Sequence, residues 1–182
     1  MIRPILVVGH PVLRQKAKRI SQVDKTIQRL IEDMIETMRA APGVGLAAPQ
    51  IGIPLRLAVI EIEDKVTVII NPEIVKTTGE VELDEGCLSV PGYWGQVFRA
   101  EKVSVKALDR NGKEQRIRDA EGLYAQALQH EIDHLDGRLY IDRMESLDKL
   151  QRAEPIRKPE ADARRARREQ GLDEDEDEEE TA

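Results

Sequence analysis

The chain has 182 residues and a mass of 20.6 kDa, enough for one domain of ordinary size with an appendage, and long enough to bury a core without disulfide or metal staples. Hydrophobic residues make up 40% but aromatics only 3%, so the core has to come from Ile, Leu, Val and Ala; the single Cys87 excludes an intramolecular disulfide and fits a reducing compartment. The net charge of −7 lies mostly in the tail, where Gln151 to Ala182 hold 7 basic and 12 acidic residues and leave 21 and 23 for residues 1–150, which argues against a globally basic nucleic-acid binder.

The N-terminal stretch MIRPILVVGHPVLRQ is apolar at first but carries no small-residue cleavage site, and no apolar run approaches the ~20 residues of a membrane span, so a soluble cytoplasmic protein is expected. Ile27, Leu30, Ile31, Met34, Ile35 and Met38 recur in steps of three and one, which predicts an amphipathic helix from about Val23 to Met38, packed on the core. Ser21 with Asp24 three residues on reads as its capping box, and Pro42-Gly43 as its stop. The stretch Gly43 to Gly52 is too small-residued for a good strand and too glycine-rich for a helix. Such a segment lets a backbone approach a ligand or another strand, and no Gly-Lys-Ser/Thr follows to make it a P-loop.

Strand patterns follow at Leu55–Ile62, Val66–Ile70, Glu80–Leu83, Lys102–Leu108 and Glu114–Arg118, with Asn111-Gly112 as a hairpin signal. Glu85 to Pro91 reads as a loop between strands. A second helix is predicted from Gly122 to Leu135, with Gly137 well placed just past its end. The order of helix, many strands, then helix predicts an α+β fold: an N-terminal helix, mostly antiparallel sheets, and a central motif-bearing helix. Beyond Tyr140 the composition changes. Met144–Ala153 is read as a short helix; Arg164, Arg165, Arg167 and Arg168 cluster; and Asp173 to Glu180 is an unbroken run of eight acids, expected to be disordered. The expected division is a body over 1–149 and a flexible charged extension over 150–182, helical at first and then acidic.

The strongest local pattern is His130-Glu131-Ile132-Asp133-His134, an HExxH on a predicted helix. Residues four apart share a helix face, so both imidazoles can reach one metal ion, and Glu131 can handle the proton of a water held there. Two of the three histidines fall in this motif, and Leu123 and Ala127 stack below His130 at helical spacing as an apolar floor. Such a pair needs a third protein ligand. A histidine six residues after His134 would follow one metalloprotease pattern, but Tyr140 stands there; a downstream glutamate would follow another, and Glu145 and Glu154 sit on short, late segments. Cys87 remains. Two imidazoles and a thiolate with an open fourth position suit Fe(II) or Zn(II) and are too soft for Mg or Ca.

Three segments together resemble peptide deformylase: GVGLAAPQ at Gly43–Gln50, EGCLS at Glu85–Ser89 and QHEIDHLDG at Gln129–Gly137, in that family's order and roughly at its spacing. The resemblance covers about Ile2 to Ile141, including His10 to Arg14; the long charged tail departs from it. It implies a metal-dependent amidohydrolase that removes formyl from the N-terminal formyl-methionine of new chains and releases formate. It also implies that Cys87, His130 and His134 hold one divalent ion, commonly Fe(II), with Zn(II), Ni(II) or Co(II) accepted by the same set. Glu131 then carries the proton, while the Gln50 side-chain amide and the Leu88 backbone N–H donate to the charge that grows on the formyl oxygen.

Val44 and Gly45 on one side and Gly86 on the other are expected to be edges to which an extended peptide adds as a strand. Leu123 and Ala127 are expected to wall the methionine pocket, Tyr93 and Trp94 to form a rim, and His10 to cap or pack. The implied partners are nascent polypeptides beginning with formyl-methionine, with no membrane and no sequence-specific nucleic acid. Two other readings stand beside this one. An HExxH metalloprotease is opposed by Tyr140 at the third-histidine position and by the Cys87 segment. A ribosome- or chaperone-binding module with a dead site is opposed by a full set of catalytic residues. In the tail, Arg164–Arg168 as a face for ribosomal RNA competes with a plain solvated extension.

Overall fold

In the computed structural model, residues 1–153 are described; the expectations for Arg164–Arg168 and for the acids from Asp173 lie outside them. The elements in chain order are α1 (Lys25–Ala40), β1 (Gly45–Ala47), β2 (Leu57–Ile62), β3 (Lys65–Thr78), β4 (Val81–Cys87), β5 (Val90–Arg99), β6 (Lys102–Leu108), β7 (Glu114–Ala120), α2 (Gly122–Leu135) and β8 (Gln151–Arg152). They form a five-stranded sheet ordered β1-β2-β3-β6-β7 and a three-stranded sheet ordered β4-β5-β8, with every strand pairing antiparallel.

Alternation along β2 explains how the larger sheet carries a helix on each face. Leu57 and Val59 pack with Ile31, Met34 and Met38 of α1 on one side. Ala58 and Ile60 pack with Leu128, Ile132 and Leu135 of α2 on the other. A strand buried on both faces reads as a continuous apolar run, which is why Leu55–Ile62 was legible. On the α2 side many of the contacts are Ala47, Ala58, Ala107, Ala125 and Ala127, so the motif-bearing helix lies close against the sheet.

Helix α1 starts at Lys25 because Asp24 is itself the N-cap. Its carboxylate accepts the N–H groups of Thr26 and Ile27, both at 2.9 Å, so the expected Ser21–Asp24 capping box gives way to an Asp24 cap. At its other end, α2 is held by a buried side chain from far away in sequence. Arg56 donates to Leu135 O at 3.1 Å and to Asp136 Oδ1 at 2.8 Å, placing a cation at the negative end of the helix dipole. Gly137 follows with φ of 76°, and a Cβ there would lie 2.7 Å from Arg14 O, so the position requires glycine for both its conformation and its space.

Three further expectations need correction. Gly45–Ala47 is a strand after all: small residues suit it because β2 supplies the ladder and α2 crowds its side-chain face. Glu85 to Pro91 is a tight hairpin rather than a loop, with Cys87 opposite Val90 around a Leu88-Ser89 turn, and the ten-residue β5 beyond it carries no sequence signal because Pro91, Gly92 and Gly95 break its alternation. Met144–Ala153 is not a helix. It holds a 3-10 turn, Leu147–Lys149, and then β8, whose Arg152 and Gln151 pair with Tyr93 and Trp94, so the sheet runs to Arg152 and 150–153 is not a helical extension.

Candidate metal centre

One face of α2 is committed to the sheet through Ala125, Leu128, Ile132 and Leu135, which turns His130 and His134 together toward the end of β4. The two rings stand 4.9 Å apart at 71°, with Nε2 to Nε2 at 3.2 Å. The Cys87 Sγ completes the set at 3.3 Å from His134 Nε2, and the three donor atoms all lie within 4.8 Å of one another. Three corners of a tetrahedron with bonds of about 2.0–2.3 Å are separated by roughly 3.3–3.6 Å, so the donors fit a transition-metal ion in both chemistry and spacing. Among the described residues this is the one His/Cys/Asp/Glu cluster with metal-ligand spacing. Tyr140, six residues after His134 where that metalloprotease pattern would have a histidine, instead stacks on His130 with centroids 6.5 Å apart, and Glu145 is exposed and paired with Lys149.

Behind the donors lies a chain of buried charges. His130 Nδ1 donates to Glu85 Oε1 at 2.5 Å, which fixes the tautomer that leaves Nε2 free as a ligand. Glu85 is clamped by both ends of Arg99, whose Nε donates to Oε2 at 3.0 Å. Arg99 reaches on to Asp133 at 2.6 Å, and Arg143 grips the same Asp133 through two bonds of 2.6 Å. Burial works against a charge on Glu85, yet its bonds from His130 and Arg99 prevail and bring its pKa down to about 2. Burial also opposes a charge on His130, but bonding to Cys87 and Glu85 raises its pKa, whereas burial, joined by the positive charges of His130 and Arg99, drives that of His134 down. The metal-free pair thus keeps its proton on His130. Glu85 and Asp133 both lie inside segments the sequence singled out, but nothing in the sequence marks them as buried, and Arg99 and Arg143 carried no signal at all.

Glu131 lines the same cavity as Cys87 and His130 and is buried, with Oε2 lacking any protein partner. Burial pushes its carboxyl up to about 7. Its room is made by Gly45, where a Cβ would stand 2.3 Å from Glu131 Oε1 and 2.9 Å from Cδ. Gly45→Ala is therefore expected to displace the carboxylate. On the expectation that the chain releases formate with Glu131 carrying the proton, turnover by the metal-loaded variant should fall about 10²-fold or more with metal content unchanged; equal kinetics in the variant would show that the carboxylate has slack the packing does not suggest.

Gln50 is buried beside the same cluster. Its Oε1 accepts Ala47 N–H at 2.8 Å, which fixes the amide orientation and aims Nε2 at Ser89 Oγ, 3.1 Å away, and toward Cys87 Sγ at 3.7 Å. Ser89, fully buried and donating its N–H toward Cys87 Sγ at 3.4 Å, closes the Glu85–Ser89 segment the sequence singled out but carried no role there.

The cluster opens onto a cavity of about 570 Å³, with His134 buried behind its lining. Gln50, Cys87, Leu88, His130 and Glu131 line it, as do the expected peptide-binding residues Val44, Gly45, Gly86, Leu123 and Ala127. The cavity lies between two sheet edges, since β1 ends the larger sheet and β4 ends the smaller. Leu123 is 50% exposed and forms wall rather than core, whereas Ala127 is buried beneath. Tyr93 lines the mouth while Trp94 does not, and His10 caps a 3-10 turn by accepting Val12 N–H at 3.3 Å. Gln126, which donates to Asp84 O at 2.9 Å and so ties α2 to β4, is a further lining residue the sequence did not single out. Among the described residues no helix is long and apolar enough to cross a membrane.

Comparison with known proteins gives one consistent answer. A family model described as polypeptide deformylase matches residues 2–150. A peptide deformylase of Dehalococcoides mccartyi (strain CBDB1) is 54% identical over 156 residues, covering 85% of this chain and 93% of its own length. A crystal structure of a peptide deformylase from Legionella pneumophila superposes with a TM-score of 0.79 at 48% identity, over 96% of this chain and 100% of that one. Another, from Synechococcus elongatus in complex with actinonin, gives 0.77 at 44% identity, over 82% and 87%.

Proposed function

We propose, for a chain that belongs to the polypeptide deformylase family and removes the formyl group from the N-terminus of newly made polypeptides, that Cys87, His130 and His134 hold one divalent metal ion and that Glu131 carries the proton. The observation that carries this reading is convergence: a thiolate and two imidazoles meet at the end of a cavity flanked by two strand edges, beside a buried carboxyl with an unpartnered oxygen. When bound, the ion supplies a Lewis acid that lowers the pKa of water and polarises the formyl carbonyl.

The side chains do the remaining work. Glu131 accepts a proton from the attacking water and returns it to the departing amine nitrogen, a role its raised pKa suits near neutral pH. Gln50 Nε2 and the Leu88 N–H donate to the oxygen on which negative charge grows, and loss of such a donor typically costs ~10²–10³ in rate. Val44, Gly45 and Gly86 take the peptide as an added strand, reading backbone rather than side chains, while Leu123 and Ala127 wall the methionine side chain.

Fe(II) is our assignment for the native ion, with Zn(II), Ni(II) and Co(II) as substitutes that the same donors accept. We place the enzyme in the cytoplasm, where its nascent substrates and a reducing environment for Cys87 coincide. The catalytic body extends on this reading to about Arg152. A ribosome contact through Arg164–Arg168 is removed if a chain ending at Lys149 co-sediments with ribosomes as the full chain does.

The test is formate release from a formyl-Met-Ala-Ser peptide by protein purified without oxygen and loaded with Fe(II). Rapid turnover that disappears with Cys87→Ser is expected. A folded protein inactive with every one of the four ions would sink the reading.

A further inference from the structure

The rim of the cavity contains a break in pairing that the rest of the fold has to manage. Strand β4 pairs with β5 regularly from Val81↔Arg99 to Gly86↔Trp94, and the next partner pair is Cys87↔Val90. Between these two pairs β5 holds three residues, Pro91, Gly92 and Tyr93, and β4 holds none. The three extra residues bulge out of the ladder, and all three line the mouth of the cavity. The β4 ladder gives these three residues no partner.

They are held from the opposite edge. Tyr93 lies opposite Arg152 of β8, and Ala153 N donates to Gly92 O at 2.9 Å. The approach to β8 is fixed by Met144, whose Sδ and Cε occupy the space above Gly95 where a Cβ would stand only 2.5–2.6 Å away. Without β8 the smaller sheet is a two-stranded ribbon with a three-residue defect, and ribbons of that kind are marginal on their own.

We propose that β8, seated by Met144, is a brace that positions the Pro91–Tyr93 bulge as one wall of the peptide-binding mouth. Residues 151–153, beyond the end of the family match at 150, thereby set how tightly substrate binds rather than how fast the bond is broken. The inference rests on the deformylase reading for its kinetic part and on the β5–β8 geometry alone for its structural part. Among the described residues no hydrogen bond joins Pro91, Gly92 or Tyr93 to Cys87 Sγ, His130, His134 or Glu131, so loss of the brace acts on binding.

Four proteins test it: the full chain, a chain ending at Ala153, a chain ending at Lys149, and the full chain with Ala153→Pro, which removes the N–H that reaches Gly92 O. Each is measured for kcat and KM on formyl-Met-Ala-Ser, for metal content, and for the emission of Trp94, the only tryptophan and the partner of Gln151. The chain ending at Ala153 should match the full chain. The chain ending at Lys149 should raise KM about tenfold, as expected when a preorganised wall is released, with kcat within about twofold and metal content unchanged. Its Trp94 emission should shift to the red, and Ala153→Pro should move KM the same way by a smaller factor. An unchanged KM in the Lys149 chain, or a parallel loss of kcat and metal, overturns the proposal. A full chain that releases no formate overturns the deformylase reading and the kinetic part together, and Trp94 emission then decides the brace by itself: an unshifted spectrum in the Lys149 chain overturns it.

Discussion

Glu131→Gln is expected to lower formate release by about 10²–10⁴-fold while leaving metal content and KM close to those of the parent. The amide keeps the size of the carboxylate and stays in the space left by Gly45, so the donor set and the cavity walls are undisturbed. What it loses is the capacity to take a proton and give it back. The same substitution has a second expected effect, on stability. The carboxyl is buried with one oxygen unpartnered, and its pKa in the folded metal-free protein stands at about 7 against an ordinary 4.5. Between those values the folded state holds a proton that the unfolded chain has released, so stability contributed by the neutral form is lost as pH rises from about 4.5 through about 7. The loss amounts to about 3 kcal/mol. Glutamine does not ionise and escapes it. Metal-free Glu131→Gln should therefore melt at a higher temperature than the parent at pH 8, and the difference should close toward pH 4. A variant that is inactive but no more stable at pH 8 would mean that the carboxylate is solvated in the apo protein, against its burial.

How much of this could be read in advance depended on how local the signal was. The HExxH pair needs only the helical repeat to bring His130 and His134 onto one face, and the phase of Ile27 to Met38 gives α1 by the same arithmetic. Cys87 was reached by chemistry: a pair of imidazoles required a third donor, and the candidates on offer were few. Strands β1, β5 and β8 were missed for the opposite reason. Gly45–Ala47 is extended because β2 offers it a ladder, β5 carries a bulge where alternation should be, and two residues of β8 are a strand only because β5 lies beside them. The buried charges were the least legible. A sequence presents Glu85, Arg99 and Asp133 as ordinary surface residues, and only contacts spanning 14 and 34 positions reveal that they neutralise one another in the interior. Two of them were already inside segments marked as functional, which suggests that an acid next to a metal ligand should be read first as that ligand's support.

Arg99→Leu tests that support and is the substitution with the largest expected cost to the fold. Arg99 is 1% exposed in its side chain, with Glu85 at 4% and Asp133 at 7%. It is the bridge between them, reaching both oxygens of Glu85 through different nitrogens and Asp133 through a third contact. Leucine fills part of the volume and none of the charge. Asp133 would keep Arg143, but Glu85 would be left buried with only His130 and the long 3.4 Å contact from Gln126 to satisfy it. Removing one member of a buried ion pair typically costs about 3–5 kcal/mol, because the remaining charge is stranded. A Glu85 free to turn away no longer fixes the His130 tautomer, and loss of such a partner typically costs about 10–100-fold in metal affinity. Lysine at the same place supplies one compact ammonium that cannot span three acceptors in a plane, so Arg99→Lys should recover part of the stability and less of the metal affinity. The paired change Arg99→Leu with Glu85→Gln removes the stranded charge along with its partner. It should be more stable than Arg99→Leu alone while binding metal no better, which separates the electrostatic cost to the fold from the positioning of His130. If Arg99→Leu melts within a degree of the parent and holds its metal equally tightly, the buried chain from His130 to Arg143 is packing and nothing more.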